Sequence, residues 1–136
     1  MFSVECLVFS IYEIPVMEVR SVAREKSYAF ALKMIRLART LRERREYELA
    51  SQLVRAGTSV GANVEEAQAG VSHADFAAKM AIASKECRES HNRLRLLRDS
   101  GAVPENEIRP LLTDAAELIR ILTAIVKTAQ AKHTKH

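Results

Sequence analysis

The sequence predicts an all-α fold, an antiparallel up-down-up-down four-helix bundle that assembles as an oligomer. Three observations favour this fold: the 136 residues suffice for one domain, aromatic residues make up only 5% of them, and three Pro and four Gly leave few turns. Few turns in a chain of this length require long elements, and apolar residues recur at helical spacing between the turns. Short connections near residues 45, 72 and 101 make sequential helices antiparallel neighbours.

The first helix is predicted from about Arg24 to Arg44, with an unusually wide apolar surface. At about 100° per residue, its apolar side chains cover an arc of about 220°, roughly twice that of an ordinary surface helix. The residues of this arc are Tyr28, Ala31, Leu32, Met34, Ile35, Leu37, Ala38 and Leu41. One side of the arc can face the core, and a second subunit is the simplest cover for the remainder.

The second helix, from about Tyr47 to Val71, is predicted to carry a core face and a polar stripe. Gly57 and Gly61 lie on the core face, four residues apart, where they allow another helix to approach closely. The other residues of that face are Leu53, Val60, Val64, Ala67 and Val71. Four polar residues occupy the opposite side: Gln52, Ser59, Asn63 and Glu66. Because Ser and Asn are indifferent helix formers, we expect this stripe to form a hydrogen-bonded contact between subunits, with solvent exposure or a ligand or nucleic-acid site as alternatives.

The third and fourth helices have clear boundaries in the sequence. Ser72 is predicted to cap the third helix, with Asp75 at the third helical position. Gly101 is expected to end that helix, and Pro104 to begin the fourth. The third helix has an apolar seam of Phe76, Met80, Ala83, Cys87, Ser90, Leu94 and Leu97. The fourth has a stripe of Ile108, Leu111, Ala115, Leu118, Leu122, Ile125 and Ala129.

The chain divides into residues 1–16, 17–131 and 132–136. The first segment is apolar and carries two Glu, without the basic region and cleavage site of a signal peptide. Three interpretations remain open: an arm or strand that packs on a neighbouring subunit, a loose tail, or the product of an early start codon, since Met17 begins a sensible helical protein. Residues 17–131 form the bundle, and residues 132–136 form a flexible tail.

No catalytic residues, metal site or cofactor are predicted. None of the four histidines belongs to the Glu-x-x-His pair that di-iron bundles require. Cys87 lies one turn before His91, where a packed thiol beside a satisfied imidazole is favoured over a nucleophile–base pair. Cys6 and Cys87 fit neither a disulfide framework nor a metal site, which indicates a cytoplasmic protein. No apolar run is long enough to span a membrane.

Positive charge is concentrated in two segments. Arg24–Arg45 holds eight Lys or Arg against two Glu, a balance of +6, and Lys79–Arg98 holds six against two, a balance of +4. Between them, Glu46–Val71 has a balance of −3, from one Arg and four Glu. A basic face built from the two positive segments could attract nucleic acid or an anionic partner, with a solvated helical surface as the alternative. The candidate nucleic-acid-binding residues are Lys33, Arg36, Arg39, Arg42, Arg44, Arg45, Lys79, Lys85, Arg88, Arg93, Arg95 and Arg98.

Three segments carry a family resemblance: residues 27–32 (SYAFAL), 53–67 (LVRAGTSVGANVEEA) and 74–76 (ADF). They resemble the 23S rRNA intervening-sequence protein family, also called four-helix bundle proteins, and the likeness covers about residues 26–130. The resemblance implies an antiparallel four-helix bundle assembled as a ring-shaped homopentamer. A related branch, the accessory protein of diversity-generating retroelements, has a similar bundle and pentamer, and binds nucleic acid and a reverse transcriptase through a basic surface.

Two functions follow as hypotheses. The first is a non-enzymatic oligomer, a homopentamer by resemblance, that binds RNA or DNA through its basic surface by sequence-tolerant, salt-sensitive contacts. The second is a protein-binding scaffold ring, whose basic face docks an acidic protein partner without nucleic acid. No membrane partner is expected.

Overall fold

Four α-helices make up the described part of the protein. A computed structural model describes the backbone of residues 16–134 and the side chains of residues 18–131. Within that range the helices are α1 (Val16–Glu43), α2 (Tyr47–Gln68), α3 (His73–Asp99) and α4 (Glu105–Thr134), and there is no strand. α1 and α3 each pack along both α2 and α4. α1 and α3 occupy diagonal corners, as do α2 and α4, and in these diagonal pairs no Cα atoms of the described helices lie within 8 Å of each other. The all-α, four-helix prediction is confirmed, and each helix occupies one corner of a bundle.

The ends of α1 and α3 use similar backbone geometry with different residues. After α1, Arg45 takes a positive φ of 65°, and its amide donates to the Arg42 carbonyl at 2.9 Å. The amide of Glu46 donates to the Leu41 carbonyl at 2.8 Å, which completes a Schellman-type end. After α3, Gly101 takes the same kind of conformation with a φ of 79°. Because a side chain disfavours positive φ, glycine fits this position with less strain than Arg45 does.

The predicted cap of α3 is present. Ser72 has an extended backbone, and its hydroxyl accepts a hydrogen bond from the Asp75 amide at 3.0 Å. This bond satisfies one of the amides that the first turn of a helix leaves free. At α4, the Pro104 carbonyl accepts from the Ile108 amide at 3.3 Å, so Pro104 precedes the first helical residue, Glu105.

Two helix boundaries differ from the predictions. α1 begins at Val16 and not near Arg24, because the added turns are packed: Ala23 is fully buried, and the Arg20 guanidinium lies 4.0 Å from the centre of the Phe76 ring. The placement of Val71 on the core face of the second helix is wrong. α2 ends at Gln68, before Gly70 and the extended cap of α3, and Val71 is 98% exposed in the connection. α4 continues to Thr134, three residues into the predicted tail, and residues 1–15 lie outside the described residues.

One core runs through the four helices. Every residue of the seams predicted for α3 and α4 is buried, which confirms those two predictions. Two buried polar side chains form hydrogen bonds within their own helices. The Ser90 hydroxyl donates to the Glu86 carbonyl at 2.9 Å, and the Ser27 hydroxyl donates to the Arg24 carbonyl at 3.2 Å. The core therefore holds these hydroxyl groups without an unpaired donor.

The two glycines of α2 face α1 at different clearances. A Cβ atom at Gly57 would lie 2.7 Å from Cγ and 2.8 Å from Cβ of Met34, which is fully buried. A Cβ atom at Gly61 would lie 3.6 Å from the carbonyl and hydroxyl oxygens of Ser27, an ordinary contact. Gly57 therefore makes room for the Met34 side chain, whereas the space beside Gly61 can hold a methyl group.

Candidate functional site

Three of the four polar stripe residues of α2 contact α3 of the same chain, and we call these contacts the polar ladder. The shared feature is spacing: each step of seven residues forward along α2 is matched by seven residues backward along α3. The pairs are Gln52–Arg93 at 2.7 Å, Ser59–Glu86 at 3.0 Å and Glu66–Lys79 at 3.1 Å. Seven residues are close to two helical turns, so the three positions on each helix share one face.

A third acidic residue, Glu89, is joined to the ladder. Glu89 accepts from Arg93 Nη2 at 2.7 Å and lies 3.6 Å from Arg55 Nη2. The hydrogen bond from Arg93 is the main cause that holds the pKa of Glu89 below its ordinary value. Asn63 takes a different partner, since its amide donates to the Ser59 carbonyl at 2.8 Å on its own helix. Gln52 and Glu89 thus hold the two ends of the Arg93 guanidinium in place.

The polar stripe was expected on the side of α2 farthest from the core. It lies instead beside α3. The reason is that α2 packs against two helices, with Gly57 towards α1 and the stripe towards α3, so its buried surface is wide. Ala56, at the border of the stripe, is fully buried. The hydrogen bonds of Gln52 and Ser59 and the ion pair of Glu66 are therefore made without a second subunit.

Half of the twelve candidate nucleic-acid-binding residues contact a partner within the chain. Five pair with carboxylates: Lys33 with Asp114, Arg44 with Glu107, Lys79 with Glu66, Arg93 with Glu89, and Arg98 with Asp99. Arg88 donates to the Thr123 hydroxyl at 3.2 Å. The hydrogen bond from Arg98 also lowers the pKa of Asp99. Arg98 contacts the next residue of its own helix, whereas the other five cations contact a neighbouring helix, and all six are less available to an anionic partner.

The other six candidates are exposed and form no ion pair among the described residues. Four of them, Arg36, Arg39, Arg42 and Arg45, lie on the carboxyl-terminal half of α1 and beyond its end, and we call them the α1 arginine surface. Lys85 and Arg95 lie on α3. Because α1 and α3 occupy diagonal corners of the bundle, the expected basic face shared by both segments does not form within one chain.

Two exposed apolar surfaces lie on different sides of the bundle. The first is a groove of about 290 Å³ between the beginning of α2 and the end of α3. Its lining is Leu49, Gln52, Leu53, Arg93, Leu96, Leu97 and Ser100, and Leu96 is 60% exposed. The second surface is the outer part of the apolar arc of α1, where Tyr28 is 69% and Leu32 38% exposed. The groove was not predicted from the sequence. Three leucines within four residues, Leu94, Leu96 and Leu97, were its signal, since they cannot all face one seam.

The sequence model of one protein family, described as 23S rRNA-intervening sequence protein, matches residues 20–124. The chain belongs to this family. The resemblance found in the sequence is thereby confirmed, and the matched range contains the polar ladder, the groove and the α1 arginine surface.

A solved structure agrees with this membership of the 23S rRNA-intervening sequence family. It is the crystal structure of a protein with unknown function from the S23 ribosomal protein family of Bacteroides thetaiotaomicron, with 34% sequence identity and a TM-score of 0.77. The likeness covers 80% of this chain and 98% of that chain. No curated protein matches the chain. The family match and the structural match both support the fold, and a fold alone does not determine a function.

The buried position of Cys87 in this protein lowers the reactivity of its thiol. The thiol is fully buried and donates to the Ala115 carbonyl at 3.5 Å. Burial raises the pKa of Cys87 to about 12, so the thiol is protonated at neutral pH. Burial, followed by the charges of Arg95 and Arg98, lowers the pKa of His91. In residues 16–134, no group of three or more His, Cys, Asp or Glu side chains is placed to hold a metal ion. None of the described helices is long and apolar enough to cross a membrane.

Proposed function

We propose that the protein is a non-enzymatic, cytoplasmic homo-oligomer, a ring of antiparallel bundles, that binds RNA or DNA through the α1 arginine surface. The observation that carries the proposal is the contrast among the cations. Arg36, Arg39, Arg42 and Arg45 are exposed without an ion pair in the described chain, whereas five other candidates pair with carboxylates. A cation without a local partner can neutralise a phosphate without first breaking an internal contact.

The antiparallel arrangement is supported by the connections and by one contact between helix ends. Three residues connect α1 to α2, and four connect α2 to α3. Such short links favour neighbours that run in opposite directions. Arg24, in the first half of α1, pairs with Glu65 near the end of α2 at 3.0 Å. The descending order of ladder partners on α3 supports the same arrangement for α2 and α3.

Oligomer formation is supported by the apolar surface that one chain leaves open. Tyr28 and Leu32 belong to the wide apolar arc of α1 and remain exposed, as does Leu96 in the groove. Several exposed apolar side chains at two defined surfaces are typical of an interaction site. Five copies follow from the family resemblance. A ring would repeat the α1 arginine surface in each copy, and linked copies raise the effective affinity without new contacts.

The experiment is a titration of labelled duplex DNA, structured RNA and single strands between about 50 and about 200 mM salt. The test variant is Arg39→Gln with Arg42→Gln. The matched control is Arg24→Gln with Arg109→Gln, which removes the same charge from two exposed but ion-paired arginines. We expect the test variant to lower the slope of log K against log salt by about 2 if each arginine contacts one phosphate, because each contact contributes about 0.9.

Two results would contradict the nucleic-acid proposal. One is no binding by the wild-type protein at the lowest salt; the other is an equal loss in the test and control variants. If the protein is an oligomer and binds none of the three nucleic acids, the result would favour the scaffold function, in which an acidic protein binds the same surface.

A further inference from the structure

The two apolar surfaces differ in shape and composition. The projecting surface on α1 consists of Tyr28 and Leu32, one helical turn apart, and we call it the knob. The groove is recessed, and Leu49 and Leu96 form its exposed apolar edges. Because α1 is diagonal to α3 and the groove opens between α2 and α3, the knob cannot pack in the groove of its own chain. A projecting surface and a recess on different sides of one molecule suit a head-to-tail contact between copies.

One exposed residue beside the knob and one beside the groove carry opposite charges. Arg36 follows Leu32 by one turn on the exposed face of α1 and has no ion pair among residues 18–131. Glu48 precedes Gln52, a groove residue, by one turn on α2; it is also exposed, and no cation pairs with it in the same range. Arg95, next to Leu96 at the groove, is exposed as well, so charge favours the orientation that brings Arg36 to Glu48 and away from Arg95.

We infer that the knob of one copy packs into the groove of the next, with Arg36 facing Glu48 across the contact. This inference rests on the proposed oligomer and names its interface. The Gln52–Arg93 rung of the polar ladder forms one wall of the groove, and Glu89 holds the other side of Arg93, so the recess exists before docking. A recess that is already formed lowers the entropy cost of association.

A two-fold contact of knob against knob with parallel α1 helices is disfavoured by charge. It would bring Arg36 of each copy close to the other, and like charges in contact are repulsive. A head-to-tail contact avoids this repulsion, takes Arg36 into the interface, and leaves Arg39, Arg42 and Arg45 as the part of the α1 arginine surface that is open to nucleic acid. A ring built this way exposes those three arginines in every copy.

Cross-linking tests the geometry of the contact. In a full-length Cys6→Ser background, Leu32→Cys and Leu96→Cys are placed together in one chain and, separately, in two chains that are mixed. With a short bis-maleimide, we expect a ladder of covalent oligomers from the double variant and a product that stops at the dimer from the mixture. Val71→Cys with Leu32→Cys is the control, because Val71 is exposed in the connection between α2 and α3, at the end of this helix pair opposite the groove. Dimers from Leu32→Cys alone would overturn the inference in favour of a two-fold contact.

Charge reversal tests the orientation. Arg36→Glu and Glu48→Arg should each shift the mass measured by light scattering towards the monomer, and the double reversal should restore the wild-type mass. A monomeric wild-type protein would refute the oligomer and this inference together. An oligomeric wild type whose mass resists both single reversals, and whose Leu32→Cys/Leu96→Cys chain does not cross-link, would refute only the knob-and-groove contact.

Discussion

Replacing Gly57 with alanine should destabilise the bundle, whereas the same change at Gly61 should stabilise it. Both glycines lie within α2 and face α1. The added methyl carbon at Gly57 would approach Cγ and Cβ of Met34 at 2.7 and 2.8 Å. Because Cβ is bound directly to the backbone, rotation of the Met34 side chain cannot remove both contacts, and the two helices have to separate. At Gly61 the methyl group finds an ordinary contact at 3.6 Å.

The expected free energies follow from two opposing effects. Alanine is favoured over glycine inside a helix by about 1 kcal/mol, and this gain applies at both positions. Overpacking a filled core costs about 1–3 kcal/mol, and this cost applies only at Gly57. We therefore expect Gly57→Ala to lose about 1 kcal/mol of unfolding free energy and Gly61→Ala to gain up to about 1 kcal/mol. For a domain of this size, the melting temperatures should differ by about 8 °C.

The assay is thermal and urea unfolding at one protein concentration, because an oligomer melts in a concentration-dependent way. A double-mutant cycle with Met34→Ala isolates the contact. Met34→Ala alone should cost about 2–5 kcal/mol, and in its background Gly57→Ala should become neutral or stabilising. If Gly57→Ala stabilises the wild-type protein as much as Gly61→Ala does, the close approach of α1 and α2 at Met34 is not the reason for the glycine.

Three further outcomes are expected. Arg45→Gly should raise the free energy of unfolding by about 1 kcal/mol, measured by urea unfolding, because glycine tolerates the positive φ of 65° that the arginine now adopts. Ser59→Ala should cost about 1 kcal/mol in the same assay by removing the hydrogen bond to Glu86, and Ser59→Thr, which keeps the hydroxyl, should lose less. Arg93→Ala should raise the pKa of Glu89, followed by carboxyl NMR shifts. The pKa of Glu89 is lowered in the folded wild-type protein, so its stabilising effect is present above the unfolded-state pKa near 4.3 and is lost as the pH falls through the folded-state pKa. In Arg93→Ala this loss of stability in acid should be smaller.

Much of the fold could be predicted because its signals are local. The seams of α3 and α4 follow from apolar residues at steps of three and four, and the α3 cap follows from the Ser72 and Asp75 pair. The beginning of α1 could not, because its first turns are held by contacts with distant residues, such as Arg20 against Phe76. Val71 was assigned to the second helix because the helical spacing of apolar residues continues to it, although α2 ends before Gly70.

The candidate site was less predictable because it depends on two helices at once. A helical projection places Ser59 relative to other residues of α2, and it contains no information on which residue of α3 lies opposite. For the same reason, the two basic segments could be counted from the sequence, while their separation by the bundle could not. Which cations are paired also depends on that packing: Lys79 meets Glu66, whereas Arg39 meets no carboxylate in the described chain.

The seven-residue spacing of the polar ladder explains what its polar residues contribute at the contact between α2 and α3. Each rung is partly exposed, and contacts of that kind contribute about 0–1 kcal/mol each. Their combined effect is on register: sliding α3 along α2 by one turn, about 5.4 Å, would break all three rungs together, whereas the apolar seams could still find partners after such a slide. The rung nearest the groove, Gln52 with Arg93, also forms the groove wall. A change of register would therefore remove the recess, which makes the ladder a condition for the proposed docking of the next copy.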